Sequence, residues 1–226
     1  MNIIPLPCRD RLTPADFKFV SEALDQPGKP HDAVMSLLTD PGSRDAVLNH
    51  PALLDTILNS SDFSGFSPEL YFYVLVHHTL TPSGLAKDAE LVDFVASSLA
   101  DYARAHPSQS GAKSPLPSFA YYTDFIGTVE KTTTHERFYV YLEFGNHFLA
   151  LTGLFHHYIE ARQLRRSTPG IDFYEGAAAT AYRMASEHPL ADEFDVRTTL
   201  RRLAASIHTT RAALNHLADE YLALAC

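Results

Sequence analysis

The clearest pattern of apolar and polar positions is an almost wholly apolar run over 138–155, FYVYLEFGNHFLALTGLF. Glu143 and His147 interrupt this run four residues apart, so in a helix both lie on one face. A helix that is apolar all round is either a membrane span or the buried centre of a globular fold. The polar interruptions, two glycines and charged flanks favour the buried centre, which would bring a carboxylate and an imidazole into the interior.

Helix start signals recur along the chain. An N-cap residue precedes a proline, a first-turn acid or both at four places, which are Thr13, Ser67, Thr133 and Asp172. These signals predict an all-α protein with helices near 13–25, 32–39, 43–59, 67–80, 88–106, 118–130, 134–166, 172–188 and 192–225. We therefore expect a bundle-like arrangement around a buried central helix at 134–166 and a long C-terminal helix at 192–225.

One stretch resembles a linker, HPSQSGAKSPLPS over 106–118. It could divide the chain into two halves, but the composition does not shift across it. We therefore expect one domain over 1–226, with 106–118 as a loop.

The last predicted helix has apolar residues at alternating spacings of four and three. They are Val196, Leu200, Leu203, Ile207, Leu214, Leu217, Tyr221 and Leu224, with Thr210 as one polar interruption. This 3.5-residue period predicts a seam that packs against another long helix. An intrachain partner such as the 134–166 helix is favoured, because bundles pack in this way within one chain. The alternative is a homodimer through the C-terminal helix.

The charge balance limits the partners that the chain would bind. The formal net charge is −9 and the isoelectric point about 5.7, which argues against nucleic acid and anionic membranes. Cys8 and Cys226 have no metal-ligand spacing, so a reduced, cytoplasmic setting is expected. The N-terminus has no basic segment followed by an apolar run of signal-peptide length.

Candidate chemistry concentrates on three predicted helices. If the 67–80 helix crosses the 134–166 helix, its histidines would join Glu143 and His147 in a mixed nitrogen and oxygen set suited to iron, manganese or zinc. Further carboxylates lie on the 67–80 and 172–188 helices. The predicted metal ligands are Glu143, His147, His77, His78, Glu69 and Glu175. The Glu-x-x-His spacing typical of two-iron bundles is absent from these segments.

Each candidate also has a purely structural interpretation. Glu143 would pair with a cation on another helix such as Arg183, and Glu175 would be a first-turn acid in a capping box. His156 and His157 begin a polar helix tail, FHHYIEARQLRR, and are expected to be solvated. His208 and His216 flank the heptad seam, where surface positions are expected.

Two function classes remain open from the sequence. The nucleotide-binding glycine loops, His-Glu-x-x-His, Gly-x-Ser-x-Gly and Cys-x-x-Cys are all absent. The favoured class is a non-catalytic module that binds a small apolar ligand or a protein partner. The alternative is a metal-dependent oxidoreductase with iron or manganese in a helical-bundle core.

Overall fold

The computed structural model describes residues 7–24, 31–60, 65–105, 122–166 and 168–222. Across these ranges the regular structure is helical and no strand occurs, so the all-α prediction is confirmed. The chain separates into an N-terminal unit, Leu6–Ala100, and a C-terminal unit that begins at Asp101. The predicted loop at 106–118 lies outside the described residues, and the prediction of one domain stays untested.

The N-terminal unit is built from five shorter helices and most of a longer sixth. They are α1 (Pro14–Ala23), α2 (His31–Thr39), α3 (Pro41–Leu48), α4 (Pro51–Leu58), α5 (Pro68–Leu80) and α6 (Ala89–Ala105), with 3-10 turns at Cys8–Asp10 and Leu85–Lys87. The residues of α6 from Asp101 onward are assigned to the C-terminal unit. The single helix predicted over 43–59 is wrong, because the chain breaks between α3 and α4. Pro51 has no backbone N–H and occupies the first position of α4, while His50 Nδ1 accepts from the Ala52 N–H at 3.2 Å as a cap.

Arg9 holds the first 3-10 turn within the N-terminal unit. Its backbone N–H and Nε donate to the two oxygens of Asp93 on α6 at 3.2 and 3.1 Å. Its Nη1 donates to both oxygens of Asp45 on α3 at 2.8 Å. Because Asp93 is almost fully buried, its charge depends on this guanidinium. The pairing fixes the turn, and with it Cys8, against α3 and α6.

The C-terminal unit contains seven helices within the described residues. They are α7 (Tyr122–Lys131), α8 (Thr134–Leu154), α9 (His156–Arg166), α10 (Ile171–Glu187), α11 (Leu190–Glu193), α12 (Arg197–Ala205) and α13 (Ile207–Tyr221). None of the described helices in the chain is both long and apolar enough to span a membrane.

Helix α8 forms the centre of the C-terminal unit, as the apolar run predicted. Its residues from Phe144 to Leu154 are almost all buried, and α10 and α13 pack along it. Two glycines allow the closest approaches. A Cβ at Gly145 would lie 2.6 Å from the Tyr182 ring on α10, and a Cβ at Gly153 would lie 2.8 Å from Leu214 on α13. The glycines in the run are therefore packing positions.

The helix predicted over 134–166 is interrupted at Phe155, which has φ −119° and ψ 33°. The Asn215 side chain on α13 donates to the carbonyls of Thr152 at 2.7 Å and Gly153 at 2.9 Å. In a continuous helix these carbonyls would accept from residues 156 and 157. Asn215, from a distant part of the sequence, thus supplies the hydrogen bonds that these two carbonyls lose at the break.

The long C-terminal helix predicted over 192–225 is also wrong as one element, because the chain breaks twice there. Asp195 adopts a left-handed conformation with φ 53° between α11 and α12, and Ser206 separates α12 from α13 with φ −106° and ψ 15°. The heptad residues between 200 and 217 are nevertheless buried, with α12 against α10 and α13 against α8. This agrees with the favoured intrachain packing, and the homodimer alternative stays a prediction.

Candidate metal centre

One group of potential metal ligands converges within the part of the chain that the structure describes. It consists of His156, His157 and Asp219, whose ligand atoms all lie within 4.8 Å of one another. The two histidines are the first residues of α9, directly after the break at Phe155. Asp219 lies in the last turn of α13. The break after α8 therefore directs both imidazoles towards the end of α13.

The two imidazoles meet at one carboxylate oxygen. Nε2 of His156 lies 3.2 Å from Oδ1 of Asp219, and Nε2 of His157 lies 3.1 Å from the same atom. The ring centroids of the histidines are 3.9 Å apart. A tetrahedral zinc site with ligands at about 2.0–2.1 Å has ligand-to-ligand distances of about 3.3 Å. The two observed nitrogen-to-oxygen distances are close to this value.

The group has one buried ligand and two that face solvent. The side chain of His156 is 8% exposed, whereas those of His157 and Asp219 are 55% and 44% exposed. Burial lowers the pKa of His156, although the nearby Asp219 carboxylate opposes the shift. His156 is therefore held in the neutral form, which is the form that binds metal ions.

The remaining imidazole nitrogens differ in their surroundings. Nδ1 of His157 lies 3.6 Å from Oε2 of Glu160, one turn further along α9. A small rotation would bring this carboxylate into hydrogen-bond range, an arrangement that commonly orients metal-binding histidines. Nδ1 of His156 is buried and has no hydrogen-bond partner among the described residues. A buried ring nitrogen without a partner costs free energy.

The predicted ligand Glu143 is not buried, contrary to the expectation from the sequence. It is exposed on α8 and has no hydrogen bond or ion pair with the described residues, so the expected pairing with Arg183 is also wrong. The surrounding protein still raises the pKa of its carboxyl group by partial desolvation. His147, one turn further on, is buried as predicted.

Glu175 forms an ion pair with another side chain of the C-terminal unit. Its Oε2 accepts from Arg211 Nε at 2.5 Å, and both of its oxygens lie 3.2 Å from Nδ1 of His208. A carboxylate held by a guanidinium is poorly placed to bind a metal ion. The capping-box interpretation of Glu175 is wrong as well, because the N-cap of α10 is Gly170, two residues before the predicted N-cap Asp172.

The other three predicted ligands belong to the N-terminal unit. Glu69 is buried in an ion pair with Arg11, with Nη2 and Oε1 2.5 Å apart. His77 is half-buried at the end of α5, where burial lowers its pKa, and His78 is exposed. Within each unit, the predicted ligands do not form a group of three. A site that combines residues of both units stays a prediction.

The histidines that converge were assigned to solvent by the sequence pattern. That interpretation is wrong for His156, which is 6% exposed, and correct for His157. The local sequence signal for this pair of ligands is the occurrence of two adjacent histidines directly after an apolar run. Asp219 gives no such signal, because only the fold brings it to α9. His208 and His216 are exposed, as expected.

Comparisons of the chain with family models, curated proteins and solved structures find no match.

The chemistry of the group follows from its donor atoms. Two imidazole nitrogens and one carboxylate oxygen suit divalent zinc, iron, cobalt, nickel or copper better than calcium or magnesium. Three protein ligands leave at least one coordination position for water or another small ligand.

Proposed function

We propose that the protein binds a divalent transition-metal ion through His156, His157 and Asp219. The observation that carries this proposal is the convergence of two Nε2 atoms on one Oδ1 within 3.2 Å. The buried, neutral His156 supports it, because it supplies an imidazole that does not first have to release a proton. Zinc is the ion we expect to bind, since it accepts both nitrogen and oxygen ligands in a tetrahedral site.

This proposal takes metal binding from the alternative class of the sequence analysis and leaves out its catalysis. It differs from the favoured class, a module for a small apolar ligand or a protein partner. That class and a cytoplasmic location remain predictions. The alternative of a metal-dependent oxidoreductase also remains, with its site moved to the new residues. Two histidines and one carboxylate with open positions form the ligand set of non-haem iron(II) oxygenases. The solvent-facing side of His157 and Asp219 favours this alternative, since it leaves room for an exogenous ligand.

Metal titration of the full chain, without a histidine tag, tests the proposal. The protein is first treated with chelator, and zinc affinity is then measured by competition with a chromophoric chelator. We expect one zinc per chain in the wild type. His156→Ala removes a direct ligand and Asp219→Asn removes the negative charge of another. Each should weaken binding by more than about 100-fold, beyond the range found for outer-shell partners.

His216→Ala is the matched control, because His216 is an exposed histidine on α13 outside the group. It should leave zinc affinity unchanged. Equal affinity in all four proteins, or a wild type that binds no zinc, would overturn the proposal. Oxygen uptake by the iron(II)-loaded protein separates the two classes: uptake that is lost in His156→Ala supports the oxidoreductase, and its absence supports binding alone.

A further inference from the structure

A row of polar side chains follows one face of α13. His208, Arg211, Asn215 and Asp219 recur at spacings of three and four residues, so they lie one above another along the helix. Only the last of them belongs to the candidate metal centre. The row passes the C-terminal end of α8 before it reaches the start of α9, which carries the two histidines.

Asn215 bonds to the backbone carbonyls that lie four residues before each of these histidines. Its Nδ2 donates to the carbonyl of Thr152 at 2.7 Å and to that of Gly153 at 2.9 Å. In an unbroken helix the same carbonyls would accept from the backbone N–H groups of His156 and His157. The Asn215 amide therefore occupies the place of the helix bonds that both candidate ligands would otherwise make.

The orientation of this amide is fixed by its other neighbour. Oδ1 of Asn215 accepts from Nη1 of Arg211 at 2.6 Å, and Arg211 is in turn paired with Glu175 on α10. A guanidinium can only donate and a backbone carbonyl can only accept, so the amide must point its oxygen towards Arg211. Both N–H groups of the amide are thus directed at the corner between α8 and α9.

Close packing lets α13 reach the corner. A Cβ at Gly153 would lie 2.8 Å from the side chain of Leu214, so only glycine fits without displacement. Asn215, the residue after Leu214, is thereby brought within bonding distance of the α8 carbonyls. Asp219 lies four residues after Asn215, about one turn further along the same face of α13.

We propose that Asn215 is the positioning residue of the metal centre, which holds the α8–α9 corner so that His156 and His157 face Asp219. This inference rests on the proposed metal binding. Asn215 does not touch the ion. It bonds to the carbonyls of Thr152 and Gly153, which lie four residues before His156 and His157, and it stands on the same helix as Asp219. One side chain thus acts on the arrangement of all three ligands.

The test compares zinc affinity in variants of this residue. Asn215→Leu has a similar size but removes both donors, and Asn215→Asp keeps a partner for Arg211 while placing a carboxylate against two carbonyls. Each should weaken zinc binding by about 10- to 100-fold, the range found when supporting contacts of metal ligands are lost. Two variants are used so that a failure of one to fold leaves the other to decide.

A stability control separates positioning from a general loss of packing. Gly145→Ala disturbs the contact of α8 with α10 instead of the corner, and it should destabilise the fold while zinc affinity stays within about twofold of wild type. If wild-type protein binds zinc and both Asn215 variants bind it equally well, positioning by Asn215 is wrong while metal binding stands. It is equally wrong if Gly145→Ala weakens zinc binding as much as they do. If the wild type binds no zinc, the proposed function itself fails.

Discussion

At the scale of single residues, Glu143 shows how a sequence pattern can identify an unusual side chain and misplace it. The apolar run around it predicted burial, because almost every neighbour in the sequence is apolar. The side chain nevertheless lies exposed, on a solvent-facing side of α8. Helical periodicity could not reveal this exposure. A single acid within an apolar run gives the same sequence pattern whether its carboxylate is buried or faces solvent. Glu143 is thus a partly desolvated, exposed acid, where the sequence predicted a buried ion pair.

Glu143→Gln should stabilise the protein slightly at neutral pH. Desolvation raises the pKa of the Glu143 carboxyl in the folded state, so the folded state binds its proton more tightly than the unfolded state. The ionised form therefore lowers the free energy of unfolding above the folded pKa, and this cost vanishes as the pH falls below the unfolded value of about 4.3. Because the residue is exposed, we expect a gain of about 0.5 kcal/mol or less at pH 7.

Denaturant unfolding at pH 7 and near pH 3.5 measures this difference. The gain of the Gln variant should be present at the higher pH and disappear at the lower one, so the low-pH measurement serves as the control. A Gln variant that is clearly less stable than wild type at pH 7 would mean that the Glu143 charge is favourable in the folded protein, against this account.

At the scale of helices, the sequence predicts where they begin better than where they break. Thr13, Ser67 and Thr133 are N-caps as predicted, because their side chains accept from backbone N–H groups only three residues away. The breaks at Phe155 and Ser206 have no proline or glycine to mark them. The first is accompanied by two hydrogen bonds from Asn215, which is about sixty residues away, so no local signal could reveal it. The candidate metal centre depends on that break and was missed for the same reason.

Gly145→Ala should destabilise the contact between α8 and α10. The added Cβ would lie 2.6 Å from the ring of Tyr182, which is fully buried and donates its hydroxyl to Asn146 Oδ1 at 2.9 Å. Because burial and the hydroxyl hydrogen bond hold the ring in place, the two helices must separate to make room for the added Cβ. We expect this to cost about 1–3 kcal/mol. Thermal or denaturant unfolding measures the loss.

Gly176→Ala provides the control on α10. A Cβ there meets no atom within 4 Å, and alanine is the better helix former, so we expect a gain of about 0.5–1 kcal/mol. Should both alanine variants change stability in the same direction, close approach at Gly145 would not be the cause.

At the scale of the whole molecule, the position of the candidate centre within one unit predicts where a bound ion would act. All three ligands of the candidate centre belong to the C-terminal unit. An ion that binds only the folded state stabilises it by about 2.7 kcal/mol at a free concentration 100 times Kd. Because the ligands join the start of α9 to the end of α13, this stabilisation should act on the helices that they connect.

Hydrogen exchange of the full chain with and without zinc should show this selectivity. We expect slower exchange of backbone amides in α9 and α13 when zinc is added, and little change in α3 to α5. His156→Ala should abolish the difference in the C-terminal unit. Equal slowing in both units, or slowing that persists in His156→Ala, would indicate that zinc binds elsewhere.

The burial of Cys8 makes the N-terminal unit suitable for measurements of its opening kinetics. The thiol is 0% exposed, and burial raises its pKa to about 12, so almost no reactive thiolate meets a solvent reagent while the unit is closed. In a Cys226→Ser background, one labelling rate per chain would report on Cys8 alone. When labelling is faster than reclosing, the labelling rate of Cys8 equals the rate constant for opening of the unit. Cys8 is therefore an internal probe for the lifetime of the Arg9 contacts.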